Sequence, residues 1–357
     1  MIIKVLLIII AVLLFGFMIF IHEFGHFFTA KLSGIRVNEF AIGMGPTLFH
    51  FQKGETKYSL RLFPIGGFCA MEGEDDDSLD DRAFNRKPVW KRILVVVMGA
   101  VMNIILGIIL MMIILGQQSA FSSTTIAQFS KNSALQSAGL EVGDTFVSVD
   151  NYRTYGDMDL SFALSTADPS SVDITVKRGG EIKKFDNVRL QSTKYNGKNV
   201  VTLDFAVLAI KKNAGTLIAK SMQDVVSTVR MVWYSLIGLI GGKFTLNDMA
   251  GPVGAATVIG QAVSSGLKES FLAGLNNVIY IMMILTINLG VINLMPFPAL
   301  DGGKLLLLIV EGIRRKPINV KYVSWIEAAG FVVLIGFMLL VTYSDILRLV
   351  TGKGLGA

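Results

Sequence analysis

Two histidines and a glutamate stand close together near the end of a hydrophobic stretch, "FGFMIFIHEFGHFFTAKL". His22 and His26 are four residues apart, so a helix would place both imidazoles on one face, with Glu23 beside that face. In this arrangement two histidines can bind zinc while the glutamate acts as a general base toward water. The spacing therefore indicates a hydrolytic metal site.

The apolar surroundings of this cluster strengthen that interpretation. Ionisable side chains inside a membrane-spanning segment are energetically expensive, and they are by default hypotheses for a functional site. The alternative is a structural cluster at a helix end, packed against neighbouring helices. That alternative leaves the energetic cost of the cluster unexplained.

A third metal ligand has to come from elsewhere in the chain, because a catalytic zinc usually has three protein ligands and an open position. Cys69 is the only cysteine, which leaves His, Asp, Glu or Asn. His50 falls in a predicted hairpin and is a poor candidate. Asp301 is a better one, because it lies in "NLMPFPALDGG", where prolines end a hydrophobic segment at membrane depth. The glycines that follow, Gly302 and Gly303, predict a sharp turn.

The elements that must position these residues are membrane spans. The chain has 357 residues, 52% of them hydrophobic, which is too apolar for an ordinary soluble domain. Four stretches are long enough to cross a bilayer, at about residues 5–28, 93–115, 271–295 and 323–341. The first is a poor match to a signal peptide, because HEFGH stands where a small-residue cleavage site would be expected. The composition predicts a polytopic α-helical membrane protein.

Lysine and arginine positions predict how these spans are oriented. They place residues 31–92 and 302–322 on the cytoplasmic side and both termini outside. The first and third spans then run in the same direction, so that HEFGH and Asp301 arrive at the same, cytoplasmic, side. The net charge of +6 reflects these loops, and no basic-aromatic patch predicts nucleic-acid binding. We expect a multi-pass protein of the inner or plasma membrane, with lipid as its surroundings.

Residues 1–116 are predicted to hold the first two spans and a small sheet between them. "TLFHFQKGETKYSLRLF" alternates in polarity and turns at residues 53–56, which is typical of a β-hairpin. Glycine-rich stretches on both sides predict a membrane-associated sheet. An exposed edge of the 48–62 hairpin could receive an extended peptide as an added strand. A purely structural hairpin is the alternative.

The rest of the chain divides into three predicted regions. Residues 117–207 are polar and rich in turns, which predicts an inserted extracytoplasmic α+β domain. Residues 208–270 are predicted to hold an amphipathic interfacial helix and a linker. The alternative is a fifth span at 221–242. It would reverse the orientation of the last two spans and place their basic flanks on the outer side. Residues 271–357 hold those two spans.

The HEFGH stretch and the Asn-x-x-Pro-x-Pro-x-Leu-Asp-Gly stretch together resemble the site-2 protease family of intramembrane zinc metalloproteases. Gly99-x-x-x-Asn103, "FPIGGF" and "GPVG" are similar to the bacterial branch that carries a PDZ domain between its second and third spans. "AGLEVGDTFVSVD" resembles part of that PDZ domain. The resemblance covers nearly the whole chain and indicates the form with a single PDZ domain.

The resemblance implies a role for each matching residue. His22, His26 and Asp301 would be the zinc ligands and Glu23 the acid/base. Asn293 and Asn103 would contact the substrate backbone or stabilise an oxyanion. An Asn within a span could instead satisfy helix–helix hydrogen bonding, and for Asn103 this alternative stays open. Lys304 departs from the family, in which histidine often follows Gly-Gly.

The family resemblance also implies an activity. This is hydrolysis of peptide bonds in the transmembrane segments of single-pass proteins, such as anti-sigma factors or remnant signal peptides. These substrates would already be trimmed on the outer side, with the PDZ-like domain as a gate. A non-catalytic scaffold that presents a PDZ domain is one alternative. Another is a metal transporter, which would need intramembrane carboxylates along a path that these spans do not offer.

Overall fold

The computed structural model describes residues 2–74, 76–195, 198–243, 249 and 251–351. Contacts divide the chain into two units, the first comprising Met1–Leu110 and Gly251–Tyr343, the second Met111–Ala250 and Ser344–Ala357. Among the described helices, four are long and apolar enough to cross a membrane: Val5–Leu32, Val89–Leu115, Phe271–Asn293 and Lys321–Thr351. The prediction of a polytopic helical membrane protein with β-sheets is confirmed.

The helices of the described residues run in chain order as follows. They are α1 (Ile2–Leu32), α2 (Val89–Leu115), α3 (Ala134–Ser137), α4 (Asp157–Thr166), α5 (Ala214–Ile240), α6 (Pro252–Glu269), α7 (Phe271–Asn293), α8 (Asp301–Arg314) and α9 (Val320–Thr351). Neither α6 nor α8 was predicted as a helix. The sequence of α6 is amphipathic and has Pro252 in its first turn, where proline is tolerated, so two helical signals were present and were missed.

Close contacts between α1, α2 and α7 depend on glycine. A Cβ atom on Gly25 of α1 would lie 2.5 Å from the backbone oxygen of Met98 on α2. On α7, a Cβ atom on Gly290 would lie 3.0 Å from the backbone oxygen of Ala100. Helices in membranes associate through such small residues, because the hydrophobic effect does not drive them together in lipid. The three helices therefore pack backbone to backbone in the first unit.

The sheet of the first unit consists of two long antiparallel strands, β1 (Val37–Lys53) and β2 (Thr56–Met71). The turn between them falls where it was predicted. Both strands bend back on themselves, so that Phe40 of β1 pairs with Tyr58 on one side and with Cys69 on the other. One end of the sheet packs into a hydrophobic core with α1 and α2.

The other end of this sheet carries exposed apolar side chains. They are Met44, Leu48, Phe49, Phe51, Leu60, Leu62 and Phe63. Exposed apolar clusters of this size are typical of a surface that meets a protein or a membrane. This agrees with the expectation of a membrane-associated sheet.

The second unit contains the remaining strands. These are β3 (Ala120–Phe129), β4 (Thr145–Val149), β5 (Tyr152–Arg153), β6 (Val172–Arg178), β7 (Glu181–Val188), β8 (Ser192–Tyr195), β9 (Lys198–Val201) and β10 (Phe205–Lys211). The main sheet has the order β10-β3-β4-β6-β7, with β5 paired to β4. The short helix α3 ends just before Gly139, and β6 joins β7 at Gly179-Gly180, as predicted. The assignment of this domain as PDZ-like stays a prediction.

Helix α5 belongs to the second unit and is not among the candidate spans of the described residues. Its Lys220 forms ion pairs with Asp157 of α4 and with Asp224, and its Arg230 Nη1 lies 2.9 Å from Asp159 Oδ1. These pairs hold α5 against α4. That α5 lies on the membrane surface stays a prediction, and residues 244–248 and 250 of the predicted linker lie outside the described residues.

Candidate active site

The two histidines of HEFGH lie on one face of α1, as their spacing predicts. Both are buried, and the Nε2 atoms of His22 and His26 are 3.4 Å apart. Their rings are nearly perpendicular, at an interplanar angle of 84°. One coordination centre can therefore be reached by both Nε2 atoms.

Asp301 completes this cluster from a distant part of the sequence. Helix α7 ends at Asn293, the chain returns through a proline-containing loop, and α8 begins at Asp301. Asp301 Oδ2 lies 3.1 Å from His22 Nε2 and 3.3 Å from His26 Nε2. The structure thus brings the three predicted metal ligands together.

The expected sharp turn at the two glycines after Asp301 was wrong. Gly302 and Gly303 form the first turn of α8, and the left-handed residue of this loop is Ala299, with φ of 72°. A Cβ atom on Gly303 would lie 2.5 Å from the backbone oxygen of Phe297, and one on Gly302 would overlap Met295. The glycines are needed because the start of α8 packs directly against the preceding loop.

The arrangement of donor atoms fits a zinc ion. One atom from each of His22, His26 and Asp301 lies within 4.8 Å of the others. Asp301 Oδ2 is buried and accepts no hydrogen bond from a described residue, although two ring nitrogens are close to it. Two imidazoles and one carboxylate are a ligand set that catalytic zinc uses. Within the described part of the chain, the cluster does not include His50, which lies exposed on β1.

Helix α2 supports both histidines through three residues spaced four apart. The backbone oxygen of Val95 lies 2.9 Å from His26 Nδ1, and Asn103 Nδ2 lies 3.2 Å from His22 Nδ1. Gly99 stands between them, where a Cβ atom would overlap His26. Asn103, predicted to contact substrate, is fully buried at the Nδ1 atom of His22.

Glu23 is half-buried between α1 and the sheet. A Cβ atom on Gly67 of β2 would lie 3.1 Å from Glu23 Cγ and 2.9 Å from the backbone oxygen of Ala41. The absence of a side chain at Gly67 therefore leaves room for the glutamate. "FPIGGF", singled out by the family resemblance, is the segment that makes this contact.

Asn293 is the last residue of α7 and approaches the cluster from the same side as Asp301. Its Nδ2 lies 3.1 Å from His22 Nε2, the nitrogen that also faces the carboxylate. The side chain is half-buried. This amide is therefore near the reacting centre that the ligand set defines.

Sequence reasoning missed two ion pairs that fix α8. Arg92 of α2 donates through both terminal nitrogens to Glu311, and the Nη1–Oε2 distance is 3.2 Å. Lys304 Nζ lies 2.7 Å from Glu74 Oε1, beyond the end of β2. Helix α8 is strongly amphipathic, but it was not predicted as a helix, and neither ion pair was therefore expected. Lys304, the departure from the family pattern, thus has a structural partner.

Comparison with known proteins agrees with this geometry. The family model described as peptidase family M50 matches residues 10–337. A Clostridium perfringens protein named as a zinc metalloprotease is 38% identical over 343 residues, covering 95% of this chain and 98% of that protein. The regulator of sigma-W protease RasP of Bacillus subtilis is 28% identical over 420 residues, covering 95% and 97%. The zinc metalloprotease RasP of Shouchella clausii is 29% identical over 422 residues, covering 94% and 97%.

The family match extends from α1 into α9 and includes every residue of the cluster. The resemblance to zinc metalloproteases, first drawn from two short motifs, is confirmed over almost the full length. The chain therefore belongs to peptidase family M50 and is a zinc metalloprotease of that family.

Proposed function

We propose that this protein is an intramembrane endopeptidase that cuts the transmembrane segments of single-pass membrane proteins. The observation that carries the proposal is the meeting of His22, His26 and Asp301 at the end of a membrane-spanning helix, with Glu23 beside them. Anti-sigma factors and remnant signal peptides are the proposed substrate classes. The Bacillus subtilis relative, named as a regulator of sigma-W, supports the first class.

His22 Nε2, His26 Nε2 and Asp301 Oδ2 would hold the zinc ion. Zinc bound there supplies a Lewis acid that makes a water nucleophilic near neutral pH and polarises a carbonyl. Glu23 takes the proton from the attacking water and passes it to the leaving amine nitrogen. The Asn293 amide, on the cluster side of His22, donates a hydrogen bond to the carbonyl oxygen as negative charge develops there.

A helical substrate must unwind before it can be cut, because every backbone group in a membrane helix is paired internally. The segment of β2 around Gly67 pairs with β1 along one edge and lies beside Glu23. Among the described residues, no further strand joins this sheet. We propose that an extended substrate pairs with the edge of β2 at residues 66–70. The 48–62 edge, which the sequence offered as a possible site for an added strand, does not include the segment that touches Glu23.

We propose that the active site opens toward the cytoplasmic side of the plasma membrane. Ion pairs join the turn of the sheet and the segments before and after it, Lys31–Glu55, Arg82–Glu55 and Arg36–Asp80. Lysine and arginine near the ends of membrane spans are enriched on the cytoplasmic side. The PDZ-like domain in the second unit would then lie outside the membrane. It would act as a gate for substrates whose outer part has already been removed.

The proposal is tested with purified protein and model single-pass substrates in liposomes, with the cut sites mapped by mass spectrometry. We expect a cut within the transmembrane segment, and faster cleavage when that segment carries helix-breaking Gly and Pro than when it is all Leu. A matched substrate with a large folded outer domain should be cut more slowly than its trimmed form. Cuts confined to residues outside the membrane would contradict the proposal.

A further inference from the structure

One face of α2 lies against the Nδ1 atoms of His22 and His26. Val95, Gly99 and Asn103 are spaced four apart, so they lie on the same side of the helix. The Val95 carbonyl accepts the hydrogen bond at His26 Nδ1, and the Asn103 side chain lies at His22 Nδ1. On both rings, Nδ1 is thus held by α2 while Nε2 faces Asp301.

A zinc-binding imidazole needs its Nε2 lone pair, so the proton must sit on Nδ1 and requires an acceptor there. Val95 provides such an acceptor for His26. Among the described residues, the group recorded at His22 Nδ1 is the amide of Asn103. The oxygen and nitrogen of such an amide occupy nearly equivalent positions, so either atom can face the ring. Asn103 Oδ1 is buried and has no hydrogen-bond partner when Nδ2 faces the ring. Exchanging the positions of the Asn103 amide oxygen and nitrogen lets Oδ1 accept a hydrogen bond from the Nδ1–H of His22. The lone pair on His22 Nε2 is then free for a metal.

We propose that Asn103 is a positioning residue for His22, holding the Nδ1–H of that ring through its amide oxygen. The inference rests on the proposed function in one respect, that His22 is a zinc ligand. It replaces the expectation that Asn103 contacts substrate.

Two observations separate this role from the alternatives. Asn103 has no exposed surface, and it meets the ring nitrogen that faces away from Asp301, so an oxyanion at the metal would be out of its reach. A link between α2 and α7 does exist at this residue, but Thr286 makes it through the backbone oxygen of Asn103. The Asn103 side chain therefore takes no part in this link and is available for a hydrogen bond with His22.

The test compares the zinc affinities of full-length variants in detergent, by competition with a chromophoric chelator. Asn103→Asp keeps an acceptor of the same size, whereas Asn103→Leu keeps the size and removes the acceptor. We expect Asn103→Leu to weaken zinc binding about 10–100-fold and Asn103→Asp to bind zinc nearly as well as the native protein. Asn277→Leu is the matched control, because that amide donates to Ala262 on α6 and not to a histidine. Its zinc affinity should match that of the native chain.

The thermal unfolding midpoint of each metal-free variant shows whether it is folded. Unchanged zinc affinity in folded Asn103→Leu would overturn the proposal, as would a loss of affinity in Asn103→Asp equal to that in Asn103→Leu. His22→Ala should abolish tight zinc binding. If it did not, the metal site itself would be wrong, whereas a native protein that bound zinc without cutting any substrate would contradict the proposed function alone.

Discussion

Gly99 of α2 and His26 of α1 are in direct contact at the centre of the site. A Cβ atom on Gly99 would overlap His26 Nε2 and lie 2.9 Å from His22 Cε1. A methyl group at position 99 would therefore occupy space that the imidazole rings of His22 and His26 now fill.

We predict that Gly99→Ala displaces the histidines and weakens zinc binding. Overpacking of this kind costs about 1–3 kcal/mol, which corresponds to a loss of zinc affinity on the order of 10–100-fold if it acts on the metal-binding geometry. Chelator competition measures the loss. Gly16→Ala on α1 is the control, because a Cβ atom there meets nothing within 4 Å. Equal zinc affinities in the two variants would show that the contact is unimportant.

Gly67→Ala should separate catalysis from metal binding. The added methyl would press on Glu23 and on the backbone oxygen of Ala41, and neither histidine is among the three atoms nearest to it. We expect cleavage to fall by about 10–100-fold, since small misplacements of a catalytic group are costly, while bound zinc stays at the native level. Loss of zinc together with activity would mean that the substitution disturbs more than the glutamate.

The second unit should lose stability in acid because of Asp144. Burial raises the pKa of this carboxyl, but hydrogen bonds from Arg178 to both oxygens, each 2.7 Å long, outweigh burial and hold the pKa below its usual value. A lowered folded-state pKa stabilises the fold above the unfolded pKa of about 3.9, and this stability is lost as the pH falls below it.

Hydrogen exchange of residues 120–211 as a function of pH measures this effect. Protection should be constant near neutral pH and fall in the window below about pH 4. Asp144→Asn should flatten the pH dependence in that window and lower stability at neutral pH by about 2–3 kcal/mol, because it removes a charged hydrogen-bond acceptor. An unchanged pH profile in Asp144→Asn would assign the acid sensitivity to other carboxyls.

The two ion pairs that hold α8 should differ in their effect on stability. Arg92 and Glu311 are both largely buried, so Arg92→Met leaves a buried carboxylate unpaired and should destabilise the protein by about 3–5 kcal/mol. Lys304 is one-third exposed, and Lys304→Met should cost no more than about 1 kcal/mol. Thermal unfolding in detergent compares them. Similar losses for both variants would contradict this ranking.

The candidate metal cluster could be predicted from the sequence because its signals are local. The spacing of His22 and His26 indicates one helix face, and the prolines before Asp301 indicate a broken helix near a carboxylate. Their meeting followed from the direction of two spans. Few residues of a membrane segment have ionisable or metal-binding side chains. This limits which of them could form a site together.

Other features depend on contacts that no local pattern encodes. Gly302 and Gly303 suggest a turn when read alone, and only the packing of α8 on the preceding loop explains them as helical. The double pairing of Phe40 results from strands that bend back on themselves. For Asn103, the sequence left substrate contact and helix–helix hydrogen bonding open, and the proximity of its side chain to His22 Nδ1 became visible only in the structure.

We propose that Glu23 moves the proton during peptide hydrolysis at a zinc site. The most direct test compares native protein with Glu23→Gln in liposomes that contain a model single-pass substrate, with zinc content measured on the same samples. We predict that Glu23→Gln keeps its zinc and loses cleavage by at least about 100-fold, the contribution typical of a general acid–base. Equal cleavage by both proteins, at equal zinc content, would show that Glu23 does not transfer the proton.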